Sequence, residues 1–133
     1  MTTRNWKPLT NVQTKYDPNE LRLSLQRNGE LAMSLAAFHA LRSPAAIAMF
    51  YDETAGLIGI KPADPGSSSA IPLRKRERGQ QRKASVRQFL TTFGLPKPAS
   101  VIRFPKPTFD PDGTLVLNYR EATEEETHGD APV

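Results

Sequence analysis

The chain has 133 residues, a net charge of +4 and no cysteine. This length suggests one domain or two very small ones, and the absence of cysteine excludes disulfides, thiolate metal sites and cysteine nucleophiles. No apolar run is long enough for a transmembrane helix, and the first residues do not resemble a secretory signal. A cytoplasmic protein without membrane contact is therefore expected.

The first half of the chain is predicted to fold as a ββαββ unit over residues 21–62, after an irregular arm over 1–20. Alternating apolar and polar residues indicate the first strands, and Asn28-Gly29 indicates a hairpin turn between them. Ser34 is placed to cap the helix, because its hydroxyl can accept a hydrogen bond from a backbone N–H of the first turn. The predicted elements are strands over 21–26 and 31–33, a helix over 35–42, and strands over 46–51 and 57–60.

A linker rich in Gly, Pro and Ser is predicted over 63–70, followed by a second ββαββ unit over 71–120. Ser85 is placed to cap the second helix, so the spacing from Ser34 to Phe38 recurs from Ser85 to Phe89. A repeat of the first unit is the favoured interpretation, and chance similarity within a short α/β chain is the alternative. The predicted elements are strands over 71–74, 100–104 and 114–119 and a helix over 86–93.

The predicted fold class is therefore α+β. Two tandem strand–hairpin–helix–hairpin units would form a small mixed β barrel or sheet with two short helices. Residues 121–133 hold five acidic side chains and no Lys or Arg, which indicates a disordered acidic tail. Residues 1–120 then carry 18 basic and 9 acidic side chains, an excess that attracts polyanions or acidic surfaces.

The positive charge is concentrated in residues 71–90, where the one acid is Glu77. Gly79 and two glutamines interrupt the cations, so an open, mobile loop is expected. Phosphate contacts require such cations, and Gln80, Gln81 and Arg82 have side chains that can pair with base edges. A solvated charged loop that pairs with the acidic tail is the alternative. The seven cations are Arg74, Lys75, Arg76, Arg78, Arg82, Lys83 and Arg87.

The segments 27–34 (RNGELAMS) and 58–62 (IGIKP), with Phe38 and Leu41 between them, are arranged as in one known family. In this respect residues 25–62 resemble the AbrB/MraZ group of swapped-hairpin DNA-binding proteins. The resemblance implies two interlocked hairpin units in one barrel and DNA contacts from residues near each first hairpin. It assigns such contacts to Arg22, Arg27, Arg82 and Lys83.

The chain departs from the family pattern in two places. Ser34-Leu35-Ala36 stands where the family usually opens its helix with a proline or a similar residue. Pro44-Ala45-Ala46 stands where a Gly-Asp pair precedes the closing hairpin.

Enzymatic and metal-binding patterns are not found in the sequence. The two histidines, His39 and His128, have no second histidine or cysteine at metal-ligand spacing. Nothing around His39 indicates a Ser-His-Asp triad. The expectation is a protein with no catalytic residues, no metal and no cofactor.

Two functions from different classes remain open. The favoured one is a small nucleic-acid-binding protein, such as a transcriptional or phage-type regulator that acts as a homodimer on duplex DNA. The alternative is an adaptor or inhibitor that binds an acidic protein surface through the basic loop and pairs through its strand edges. The predicted contact residues are Arg22, Arg27, Arg74, Lys75, Arg76, Arg78, Arg82, Lys83 and Arg87.

Overall fold

A computed structural model describes residues 20–75 and 81–124, which form a mixed α+β fold. The first half contains β1 (Leu23–Leu25), β2 (Glu30–Met33), α1 (Leu35–Ala40), β3 (Ala46–Asp52) and β4 (Leu57–Ala63). The second half contains β5 (Ile71–Pro72), β6 (Arg74–Lys75), β7 (Arg82–Ser85), α2 (Arg87–Thr92), β8 (Ile102–Arg103), β9 (Thr108–Phe109), β10 (Leu115–Asn118), a 3₁₀ turn (Tyr119–Glu121) and β11 (Thr123–Glu124).

The strands form two antiparallel sheets. Sheet A has the order β11-β8-β1-β2-β7-β6, and sheet B has the order β5-β3-β4-β10-β9. The predicted α+β class with two short helices is confirmed. The strands between residues 20 and 75 and between 81 and 124 do not close into a barrel, so the structure contains the sheet form of the prediction.

One core lies between the sheets, because alternate residues of both point into the same buried cluster. Ala37 of α1, together with Phe89 and Leu90 of α2, joins that cluster. The strand residues that form it include Leu23, Leu25, Leu31 and Met33 of sheet A, and Ile58, Ile60, Leu115 and Leu117 of sheet B.

Each sheet contains strands from both halves of the chain. In sheet A, β1 pairs with β8 and β2 pairs with β7; in sheet B, β3 pairs with β5 and β4 pairs with β10. The first strand of each half, β1 or β5, thus pairs with a strand that follows the helix of the other half, whereas β2 and β7, which precede the two helices, pair with each other. The halves on either side of the predicted linker are interleaved, and neither sheet is complete without both.

The two halves correspond at a shift of 52 residues, since β2 starts at Glu30 and β7 at Arg82, and the helices start at Leu35 and Arg87. The predicted equivalence of Ser34 and Ser85 is therefore wrong by one position. Ser34 does cap α1, with its hydroxyl 3.2 Å from the N–H of Ala37. The residue that caps α2 is Val86, which forms no side-chain capping bond and is buried.

The structure also differs from the sequence prediction at the basic segment and at the tail. The segment predicted as an open loop contains β6 and β7. Arg82–Ser85 has few residues that favour strands, but it forms β7 because it pairs with β2. The tail predicted to be disordered from residue 121 starts with ordered structure, since Thr123 and Glu124 pair with β8.

Candidate nucleic-acid interface

One edge of sheet A is a two-stranded segment in which both opposed pairs are cationic. β6 pairs with β7 in the register Arg74↔Lys83 and Lys75↔Arg82. β6 is the last strand of its sheet among the described residues. We call these four residues the basic ribbon. The ribbon is held in place by β2, which pairs with the other side of β7.

Arg74 and Lys83 point away from the core. Directly opposed residues of an antiparallel pair share a face, and successive residues of a strand alternate between faces. Ala84 is fully buried in the core, so its neighbour Lys83 and the opposed Arg74 lie on the outer face. The side chain of Arg74 is 63% exposed, which leaves it accessible to a ligand.

Arg82 and Lys75 lie on the other face of the ribbon, at the rim of the core. Arg82 is opposed to the buried Met33 on β2. The guanidinium carbon of Arg82 lies 4.4 Å from the centroid of the Phe38 ring, where the ring attracts the cation and restricts its side chain. The ribbon therefore presents one cationic pair on the outer face of the sheet and the other pair at the rim of the core.

Two further predicted arginines lie at the end of β7, beside the β1–β2 turn. The Nε–H of Arg87 donates to the carbonyl of Asn28 at 2.8 Å. Gly29 has φ +82°, and a Cβ built on it would lie 2.6 Å from Cγ of Arg87, so only glycine allows this close packing. Arg27 is exposed in the same turn. The structure thus places Arg87, two residues after β7, against the turn that contains Arg27.

One acidic residue lies within this cationic surface. Glu30 forms an ion pair with Arg74 and accepts a hydrogen bond from the amide of Asn28 at 2.8 Å. The Asn28 hydrogen bond, aided by the charges of Arg74 and Lys83, lowers the pKa of Glu30 below its usual value. No role for Glu30 follows from the sequence, because its ion pair joins residues 44 positions apart.

We expect Glu30→Gln to strengthen polyanion binding by roughly threefold to tenfold at low salt, because it removes a negative charge that competes for Arg74. The measurement is a titration of labelled duplex DNA followed by fluorescence anisotropy. Glu53→Gln is the matched control, since Glu53 is an exposed acid in the β3–β4 turn of sheet B. An equal gain from both substitutions would indicate an effect of net charge and not of this site.

The structure does not bring Arg22 to the ribbon. Arg22 precedes β1, which is two strands away from β7 and three from β6, or about 10 to 14 Å at the usual strand spacing. It forms an ion pair with Glu20 at 3.3 Å, and Arg103 of β8 pairs with the same carboxylate. Arg76 and Arg78 lie outside the described residues.

In the described ranges 20–75 and 81–124, no group of three or more His, Asp or Glu side chains could hold a metal ion. His39 is exposed on α1, with its ring centroid 5.8 Å from that of Phe38. Neither helix in this part of the chain is long and apolar enough to span a membrane.

No protein-family model, curated protein or solved structure matches the chain.

Proposed function

We propose that this protein is a small non-catalytic nucleic-acid-binding protein that acts as a regulator on duplex DNA. The observation that carries the proposal is the basic ribbon, in which four cations occupy two adjacent strands at an exposed sheet edge. Arg27 and Arg87 extend the same cationic surface past the end of β7.

The shape of the ribbon favours a duplex as the ligand. The major groove of B-DNA is about 12 Å wide and admits a two-stranded β-ribbon. The side chains of a strand pair in this position reach base edges and the phosphates that flank the groove. The outward pair, Arg74 and Lys83, and the rim pair, Lys75 and Arg82, supply both sets of contacts.

The positions of the exposed aromatic residues favour duplex over single-stranded nucleic acid. Single strands are bound by aromatic rings on which successive bases stack. The exposed large hydrophobic residues of the described chain, Phe50 and Phe109, belong to β3 and β9 of sheet B. They do not adjoin the ribbon at the edge of sheet A, and the ring that does, Phe38, is half-buried and already stacks against Arg82.

The second candidate function is binding of an acidic protein partner, and the edge position of β6 favours it. An edge strand offers backbone groups to an added strand, so an extended acidic peptide could pair with β6. Lysine and arginine on edge strands also hinder such pairing, which is a common protection against aggregation. That protection makes the nucleic-acid function the better supported of the two.

Fluorescence anisotropy of labelled random duplex DNA across a salt series tests the proposal. We expect micromolar or tighter binding at low salt, with a slope of log K against log salt of about −4 to −5, since each neutralised phosphate contributes about 0.9. Polyglutamate should compete poorly, and a single strand of the same length should bind less tightly. Absence of binding at low salt would refute the proposal, and preferential binding of polyglutamate would support the acidic-partner function.

A further inference from the structure

The outer face of sheet B carries an exposed apolar surface. Ile58 and Ile60 of β4 point into the core, so the residues that alternate with them point outward. The register places Phe50 of β3 and Val116 of β10 on either side of Gly59. We call this surface the Phe50 face; its residues are Ala48, Phe50, Asp52, Leu57, Gly59, Lys61 and Val116.

Phe50 projects from this face next to a depression. Its side chain is 51% exposed, which is unusual for a phenylalanine and exposes apolar area to water. Gly59, directly opposite, has no side chain, and a depression of about 240 Å³ lies over it, lined also by Leu57 and Val116. The depression, which Asp52, Asp110 and Thr114 also line, leaves room for the Phe50 ring of a second copy to pack beside the first in an offset arrangement.

Opposite charges lie at the two ends of the Phe50 face. Lys61 is opposed to Ala48 on one side of Phe50, and Asp52 lies on the other side, each about 7 Å along the strands from the central row. The Nζ of Lys61 lies 5.9 Å from the centroid of the Phe50 ring and 3.1 Å from Oδ2 of Asp112. The cation is therefore held beside Phe50 by Asp112, while 43% of the Lys61 side chain stays exposed at the face.

We propose that the Phe50 face is the surface through which two copies of this chain associate. A two-fold axis in the plane of the interface, running across the strands through the Phe50 row, reverses the strand direction of the second copy. The two Phe50 rings then pack against one another, in the offset arrangement that aromatic pairs prefer. Asp52 of each copy meets the end of the face that carries Lys61 of the other.

This symmetry makes the ion pairs reciprocal, as in other two-fold interfaces. Asp52 and Lys61 belong to the neighbouring strands β3 and β4, so across the interface they are offset by about 5 Å perpendicular to the strands. A lysine side chain can span this distance. The basic ribbon belongs to sheet A, on the other side of the core, and stays accessible in such a dimer. The inference therefore does not depend on the proposed nucleic-acid function.

Sedimentation-velocity measurements on the full chain, without nucleic acid, test the inference. We expect reversible dimerisation over protein concentrations of about 1 µM to 1 mM, the range in which small interfaces dissociate. Phe50→Thr keeps a residue that favours strands at an exposed position, and it should raise the dimer Kd at least tenfold. Phe109→Thr is the matched control, because Phe109 is also exposed but is opposed to Leu115 on the core-facing side of sheet B.

Charge exchange tests the proposed symmetry. Lys61→Glu and Asp52→Lys should each weaken dimerisation, because they place like charges opposite one another, and the double substitution should restore it. Thermal unfolding of each variant checks that it is folded; Asp52 also accepts the N–H of Ala55 at 3.1 Å in its own turn. A wild-type chain that stays monomeric, or a dimer that Phe50→Thr does not weaken, would overturn the inference.

Discussion

Replacement of Ser34 by alanine is expected to lower the free energy of unfolding by about 2 to 4 kcal/mol. The Ser34 hydroxyl accepts from the N–H of Ala37 at 3.2 Å and from that of Arg22 at 3.1 Å, and it donates to the carbonyl of Glu20 at 2.9 Å. These three bonds use the whole hydrogen-bonding capacity of a hydroxyl. Ser34 is 4% exposed, so water cannot easily replace the bonds that alanine removes.

Ser85→Ala is the control for this prediction, and a change of no more than about 0.5 kcal/mol is expected. The sequence places both serines before helices, but Ser85 is exposed on β7 and Val86 occupies the capping position. Urea denaturation followed by far-ultraviolet circular dichroism measures both free energies. Equal losses from the two substitutions would contradict the assigned caps and the 52-residue correspondence between the halves.

The second large effect is expected from the double substitution Arg74→Gln and Lys75→Gln. Removing two phosphate contacts should lower affinity for duplex DNA roughly tenfold to a hundredfold near 0.1 M salt. The slope of log K against log salt should become less steep by about 2, since each contact contributes about 0.9. Both residues are exposed on the edge strand β6, and the Arg74–Glu30 ion pair at the surface contributes at most about 1 kcal/mol, so we expect a small change in the free energy of unfolding.

The matched control is Lys97→Gln with Lys106→Gln, which changes net charge by the same amount. Both lysines are exposed, and Lys106 follows β8, four strands from β6 in sheet A. Anisotropy titrations across the same salt series compare the two double variants. If the control loses as much affinity as the ribbon variant, binding depends on overall charge and the interface assigned to β6–β7 is wrong.

The nucleic-acid and dimerisation proposals can fail separately. The first depends on cations at the edge of sheet A, and the second depends on Phe50, Asp52 and Lys61 of sheet B. A monomer that binds duplex DNA would refute the dimer alone. A dimer that does not bind duplex DNA would refute the ribbon function alone. Measuring self-association without nucleic acid keeps the two results independent.

Local features of the chain could be predicted from the sequence because their causes lie within a few residues. The alternation at Leu23, Ser24 and Leu25 predicts that the two leucines join the core, although Ser24 is buried as well, and Asn28-Gly29 requires a tight turn. Ser34 is a helix cap because its hydroxyl and the N–H it accepts are three residues apart. The cationic character of residues 71–90 is equally a property of the sequence.

Strand pairing was decided by the tertiary structure alone. A period of two identifies the buried face of a strand but not its partner, so the interleaving of the halves could not be derived from it. Arg82–Ser85 lacks a strand pattern and becomes β7 because β2 lies beside it. The tertiary structure also explains why α2 has no side-chain cap. The N-cap position is occupied by Val86, whose apolar side chain is buried in the core.

The candidate nucleic-acid interface likewise combines features that the sequence determines with features that only the tertiary structure decides. The sequence by itself determined which residues carry the charge, the two short helices and the first hairpin turn. The tertiary structure decided that Arg74 and Lys83 share an outer face, that Arg82 stacks on Phe38, and that Glu30 lies among the cations. The contacts of Arg82 with Phe38 and of Arg74 with Glu30 each join residues 44 positions apart, and side chains so distant in sequence meet only through strand register and packing.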